Sequence, residues 1–286
     1  CPICYTPLQQ IPLSLVILWR FPPFMKIRIL LGFGMNKQTD GLIIYTHQGM
    51  GDQIECNGLV RDICKNGIRG VKYNHVEIVV KETHTDTVEF MYRDEPKIKK
   101  VHIIPDDVSW DYAREYAWVT GMAEGQGTDI CMVGHREYFD NIPYFQKNQQ
   151  VAGQAFYALV ELPWSDRIDK FHVERDYEQE QRVFEKLNPD NEKYIFVHDG
   201  LDKGFALTPH LVPTEFKVIK NDPTENIFYM LKILENAEEI HCMSSSYLCL
   251  IDSFHKVINF KNLVYHWYVR KVLLTPDYLF ANWKWV

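Results

Sequence analysis

Short apolar runs alternating with amphipathic stretches set the pattern of this chain. Leu42-Ile43-Ile44-Tyr45 is apolar at every position, as a strand buried on both faces requires. Thr46-His47-Gln48-Gly49-Met50-Gly51-Asp52 follows, and from Cys56 the apolar residues Cys56, Leu59, Val60 and Ile63 recur at helical spacing. This predicts a buried strand, a tight turn and a helix. Residues 75–80, 100–104 and 129–133 read as further strands, with helices over residues 85–92 and 110–122 between them. Residues 140–176, with Pro143, Gln149-Gln150 and Leu162-Pro163-Trp164-Ser165, break that rhythm.

The rhythm then restarts. Residues 178–187 form a charged helix, and residues 194–197 a strand running into His198-Asp199-Gly200-Leu201-Asp202-Lys203-Gly204. Residues 216–219 read as another strand. The next helix carries its own start signal, with Asp222 as N-cap, Pro223 at the first helical position and Glu225 three residues after the cap. Its apolar face is Ile227, Met230, Leu231 and Leu234. A strand over residues 239–242 leads to Ser244, Ser245 and Ser246, which open a helix bearing Leu248, Ile251 and Phe254. Residues 257–260 read as the last strand.

Strands alternating with helices imply βαβ units and mostly parallel sheets, so the fold class is α/β. The break near residue 150 divides the chain into an N-terminal Rossmann-like unit, 35–150, and a C-terminal one, 151–286. Residues 1–34 read as a peripheral extension or one misassigned to the chain. The apolar run at residues 11–19 is too short to span a bilayer, which needs about 20 residues, and association with a membrane surface is the minority reading.

Composition narrows the function. The chain has 286 residues, 46 % hydrophobic and 24 % charged, as in globular proteins, and a net charge of −7 that disfavours nucleic acid as a partner. A small phosphorylated ligand held by local donors remains open. The seven cysteines form no disulfide framework and most lie in apolar runs, pointing to a reducing, cytoplasmic compartment. Cys1-x-x-Cys4 has no second pair at zinc-binding spacing.

Three clusters carry candidate chemistry. Glycines at 49 and 51 allow close approach of backbone to a ligand, and Asp52 suits a base or acceptor for a hydroxyl, or simply a helix cap. His198 at a strand end can hydrogen-bond or carry a proton, and Lys203 beyond it suits a pyrophosphate; a solvated turn is the alternative. Ser244, Ser245 and Ser246 offer hydroxyls and free N–H groups to a phosphate, although one serine would suffice as a cap. His172, His210, His241, His255 and His266 are scattered without metal-ligand spacing and read as structural. The aromatic C-terminal end, with Tyr265, Trp267, Tyr268, Tyr278, Trp283 and Trp285, reads as packed against the body of the protein.

Residues 46–52 resemble the first-strand loop of the heptosyltransferase-like glycosyltransferases (glycosyltransferase family 9-like), which have the GT-B architecture of two facing Rossmann-like domains. Residues 194–204 and 237–254 resemble that fold's nucleotide-sugar half. The resemblance implies a glycosyltransferase that moves a sugar from a nucleotide-sugar donor to an acceptor hydroxyl on a glycan or other molecule. It implies Asp52 as the base; His198, from its own chemistry at the strand end, is the second catalytic candidate. Gly49 and Gly51 then lie at the acceptor side, and Lys203 with Ser244, Ser245 and Ser246 at the diphosphate. No separate cofactor and no metal are implied, in keeping with the lack of an Asp-x-Asp motif. Heptosyltransferases usually show Asp-Thr-Gly where this chain has its serine run, which leaves the sugar open. A polysaccharide pyruvyl transferase, a nucleotide-sugar epimerase, or a non-catalytic nucleotide-sugar or glycan-binding protein are the alternatives.

Overall fold

The computed structural model describes residues 29–30, 40–46, 49–105, 108, 111–134, 151–200, 204–213, 215–270, 274 and 276–286. Lys203, Cys1 and Cys4, and the apolar run at 11–19 lie outside the described residues, as does most of the 1–34 extension.

The first sheet has the order β1-β5-β2-β3-β4. Its strands are β1 (Ile29–Leu30), β2 (Gly41–Tyr45), β3 (His75–Lys81), β4 (Ile98–Ile104) and β5 (Asp129–Met132). All pairs are parallel except β1 on β5. Every residue of β2 is buried, the physical reason for its unbroken apolar run. Helices α1 (Met50–Glu55), α2 (Asn57–Asn66) and α3 (Thr85–Tyr92) place Ile54, Leu59, Ile63, Val88 and Met91 on one face of this sheet, against Leu42, Ile44 and Ile78. The helix expected from Cys56 is thus preceded by a separate turn of helix, α1, which carries Asp52. Helix α4 (Tyr112–Gln126) covers the other face, where Val119 and Ala123 meet Ile43 and Ile130. Asp111 caps α4 by accepting from Ala113 and Arg114 N–H, and Gly127 ends it at φ +64°.

Among the described residues, α5 (Ala152–Leu159), α6 (Asp166–Asp169) and α7 (Tyr177–Leu187) lead into the second sheet. The sheet itself, of order β10-β9-β8-β6-β7, is parallel throughout. It is built from β6 (Tyr194–His198), β7 (Lys217–Lys220), β8 (Glu239–Cys242), β9 (Asn262–Tyr265) and β10 (Trp283–Trp285). Helices α8 (Leu231–Asn236) and α9 (Ser246–Phe254) complete the unit.

Two expectations fail here. Residues 257–260 are not a strand: they turn away after α9, and Val257 is 71 % exposed. The final strands are β9 and β10 instead. Asp222 does not start a helix either. Its carboxylate accepts from Thr224 N–H and hydroxyl, closing a local turn, and pairs with Lys186, while Glu225 is held by Arg182. Asn226 provides the cap, for a 3₁₀ turn over Ile227–Met230 that leads into α8.

One hydrophobic core runs through both halves, from Leu42 of β2 to Trp283 of β10. Tyr157 of α5 accepts from Leu59 N–H at 3.1 Å and donates to the Glu55 carbonyl at 2.8 Å, binding α5 to α1 and α2. At the centre of the junction, Arg167 of α6 is wholly buried. Its Nη1 donates to Asp252 of α9 at 2.7 Å and its Nη2 lies 3.8 Å from Glu55 of α1. Asp252 also accepts from Phe280 N–H at 3.0 Å, Ala281 N–H at 2.8 Å and Trp283 Nε1 at 3.2 Å. Tyr278 donates to Glu55 at 2.6 Å. Gly153 is required beside them, because a β-carbon there would sit 2.2 Å from the Tyr278 hydroxyl and 2.7 Å from Glu55 Oε2.

Arg167→Ala leaves Asp252 and Glu55 buried without their cation. We expect a loss of about 3–5 kcal/mol in urea or guanidinium unfolding, and a loss below about 1 kcal/mol would contradict the central place given to Arg167.

Candidate functional site at the junction of the two sheets

Each sheet has one point where its strand order reverses. In the first, β3 and β4 extend to one side of β2 while β5 joins the other. In the second, β7 lies on one side of β6 and β8 on the other. Ligands of open α/β sheets sit beyond the carboxyl ends of the strands at such points. Residues 46–52 follow β2, His198 ends β6, and Ser244, Ser245 and Ser246 follow β8. All described sequence candidates therefore fall at the two reversal points.

The structure also brings the two sides together. Helix α1 packs along α9, so that a β-carbon on Gly51 would lie 3.3 Å from Cys249 Sγ, 3.5 Å from Ser246 Cα and 3.6 Å from Ser246 N. Neither Gly49, at φ −71°, nor Gly51 has a left-handed conformation. Gly51 is needed because the start of α9 approaches it so closely, rather than for the turn. Further along, the Cys249 thiol donates to Glu55 at 3.5 Å. Burial raises the Glu55 carboxyl and outweighs Arg167, with the Asp52 charge adding to the rise.

Asp52 is not a helix cap. Gly49 holds that position and makes no side-chain bond, whereas Asp52 is the third residue of α1, half-buried, with its carbonyl accepting from Cys56 N–H at 2.9 Å. Its carboxylate sits in the first turn, where a helix N-terminus favours negative charge. Its field reaches Cys249 of α9.

On the other side, Ser245 is the N-cap of α9 in extended conformation, yet its side chain makes no cap bond and its Oγ is buried without a partner. Ser246 is the first helical residue, and the Ser244 carbonyl accepts from Arg270 Nη1 at 3.5 Å. Two described neighbours orient His198. Its Nδ1 lies 2.8 Å from Asn221 Oδ1 and donates to it. Its ring lies against Tyr247 of α9 at 4.5 Å between centroids. The path from Asp52 to His198 thus passes through Gly51, Ser246 and Tyr247.

Sequence reasoning missed Asn221, Arg270 and the Glu55–Arg167–Asp252 cluster. None lies in a local motif: Arg270 and its Ser244 partner are 26 positions apart, and Arg167 and Asp252 are 85 apart.

His241 and His266, expected to be structural, are buried in a directed hydrogen-bond chain on the second sheet. His241 Nε2 meets Glu239 at 3.0 Å, so its Nδ1 accepts from His266 Nε2 at 2.9 Å. His266 Nδ1 accepts from the Tyr268 hydroxyl at 3.1 Å, and that oxygen accepts from Thr208 N–H at 2.9 Å. Neutral histidines satisfy every position.

Among the described residues, no group of three or more His, Cys, Asp or Glu side chains is disposed to hold a metal ion. Likewise, no described helix is long and apolar enough to cross a membrane.

No protein-family model matches the chain, and no curated protein matches it. Solved structures do. A glycosyl transferase family 9 protein from Veillonella parvula aligns over 81 % of this chain and 82 % of its own, at TM-score 0.51 and 10 % identity. E. coli heptosyltransferase WaaC with ADP-2-deoxy-2-fluoro heptose aligns over 86 % of this chain and 92 % of its own, at TM-score 0.41 and 15 % identity. The first likeness carries the fold: two Rossmann-like, mostly parallel sheets in the GT-B arrangement, as the resemblance of the loop motifs implied.

Acid should weaken the protein through the histidine chain. Burial, and then the His241 charge, hold His266 down to about 4, and burial lowers His241 against the opposing Glu239, with Lys284 adding to the lowering. An unfolded histidine titrates near 6.5. From about pH 6.5 down to 4 the unfolded chain therefore binds protons that the folded chain does not, so stability falls with pH in that window and is unaffected by this pair above it. We expect about 2–3 kcal/mol to be lost between pH 7 and 4 through these histidines, and His266→Gln to flatten the dependence in urea unfolding. Equal slopes for both proteins would sink this account.

Proposed function

We propose that the chain is a glycosyltransferase that moves a sugar from a nucleotide-sugar donor to an acceptor hydroxyl. The observation that carries the reading is the meeting of α1 and α9 at the reversal points of two parallel sheets. It sets an acid, Asp52, beside a serine-led helix start. In this reading Asp52 takes the proton of the acceptor hydroxyl as its oxygen bonds to the sugar. The nucleoside diphosphate leaves with the electrons of the broken bond. Free N–H groups at the start of α9, the hydroxyls of Ser244, Ser245 and Ser246, and Lys203 stabilise its charge, with no metal ion called for. His198, oriented by Asn221, serves as a hydrogen-bonding or proton-carrying group on the donor side. Gly51 keeps the acceptor-side loop close enough to α9 for both substrates to meet.

The GT-B fold supports this reading because in that architecture two Rossmann-like units face each other across the substrate cleft. The donor's base, the sugar and the acceptor are set by experiment. Thermal-shift measurement against UDP-, GDP-, ADP- and CMP-sugars should give one clear responder, since a ligand at 100 times its Kd adds about 2.7 kcal/mol of stability. No response from any member would count against a nucleotide-sugar donor.

With that donor in hand, Asp52→Asn should lower turnover by about 10²–10⁴-fold while leaving donor affinity near that of the wild type. Unchanged turnover would remove Asp52 from the base role.

A further inference from the structure

The end of β9 and the segment after it add two groups to the start of α9. Tyr265, the last residue of β9, is wholly buried, with its ring edge-on to Trp285 at 4.8 Å. Its hydroxyl meets no partner in full hydrogen-bonding geometry; the Ser244 side chain is the hydrogen-bonding group that reaches it, with Cys249 and Arg270 acting from farther off. Ser244 precedes α9 and Cys249 lies in its first turn against Gly51. The Tyr265 hydroxyl therefore faces Ser244 at the helix start, where the Ser245 hydroxyl is buried and unsatisfied. Burying a hydroxyl without a well-made hydrogen bond costs free energy. Both are explained if an acceptor-rich ligand completes the site.

Arg270 supplies the matching charge. It is exposed, and among the described residues no carboxylate lies within ion-pair distance of it. Its contact with the Ser244 carbonyl, at 3.5 Å, is at the long limit of a hydrogen bond. The guanidinium thus stands over the serine run, held only weakly by the protein itself. A planar fork of donors in that position fits phosphoryl oxygens, which it can engage in pairs.

We propose that Arg270 and the Tyr265 hydroxyl bind the diphosphate of the donor at the start of α9, Arg270 as the paired cation and Tyr265 as a buried donor. This rests on the nucleotide-sugar reading above and adds to it two residues that no local motif marks. The diphosphate would then be shared between backbone N–H groups of α9 and side chains following β8 and β9. When the sugar bond breaks, the negative charge gained by the leaving group develops beside Arg270.

Calorimetric titration with ADP, GDP and UDP tests the assignment. For whichever nucleotide the wild type binds, Arg270→Ala should raise Kd at least about tenfold, and Arg270→Lys should recover only part of that loss because it keeps the charge without the fork. Affinity for the corresponding nucleoside should not change. Tyr265→Phe should weaken diphosphate binding several-fold while the free protein keeps or gains thermal stability, because the hydroxyl it removes makes no bond of full geometry there. A structural role for that hydroxyl would produce the reverse pattern and would remove Tyr265 from the site. Diphosphate affinity within twofold of the wild type in Arg270→Ala would overturn the assignment and leave the donor reading standing. A wild type that binds none of the nucleotides would overturn both.

Discussion

The buried guanidinium of Arg167 is the contact on which the rest of the structure depends. It comes from α6, between the two sheets, and meets a carboxylate from α1 on one side and from α9 on the other. Burial alone would favour its neutral form, but Asp252 and then Glu55 reverse this and raise its pKa, so the cation persists without water. Buried ion pairs return little net stability once desolvation is counted. What they impose is direction, because a guanidinium paired with carboxylates from two helices fixes where both must lie. Asp252 extends the constraint by accepting backbone N–H groups from the segment leading into β10. One side chain thereby fixes the mutual position of α1, α6, α9 and the C-terminal end.

That position is what makes a site. Parallel sheets offer helix starts and loops at their carboxyl ends, but two sheets place those ends together only if something sets their relative orientation. Here α1 and α9 lie so close that Gly51 has no room for a side chain beside Cys249 and Ser246. The acid on α1 and the serine run before α9 then share one junction. Deeper along the same helix pair, Glu55 accepts from the Cys249 thiol and the Tyr278 hydroxyl beside Arg167. The contact between α1 and α9 and the clamp between the sheets are a single piece of structure.

The second sheet is finished differently on its two faces. Tyr194, Phe196, Ile240 and Cys242 pack into the core shared with α8 and α9. On the opposite face, Ile195 and Val197 are covered by Leu207, Met243 and neighbouring loop residues. The connection from β6 to β7 contains a short 3₁₀ turn, Pro209–Leu211, among its described residues. A loop offers fewer apolar anchors than a helix, and part of its attachment is polar: Thr208 is tied through Tyr268 to the His266–His241 pair. Buried neutral histidines secure that loop at neutral pH and become a liability in acid.

The kind and order of the secondary elements were legible in the chain itself. Short apolar runs such as 42–45 and 194–197, bounded by turn residues, read as strands buried on both faces, and Leu59, Val60 and Ile63 share one face of a helix. Such patterns are local, and local geometry decides them. The same logic marked Asp52, His198 and the serine run, because chemistry-bearing residues directly after strands are visible in sequence. It failed where a local signal had a stronger local competitor, as at Asp222, whose carboxylate is taken by Thr224 and Lys186. Only the tertiary structure could decide that Gly51 serves a close helix contact, that Asp52 is not a cap, and that Arg270 stands over the serines. Nor could local pattern pair Tyr278 with Glu55, 223 positions away, or Arg167 with Asp252. Partners of buried charges are chosen by where whole sheets come to rest, and no local spacing encodes that choice.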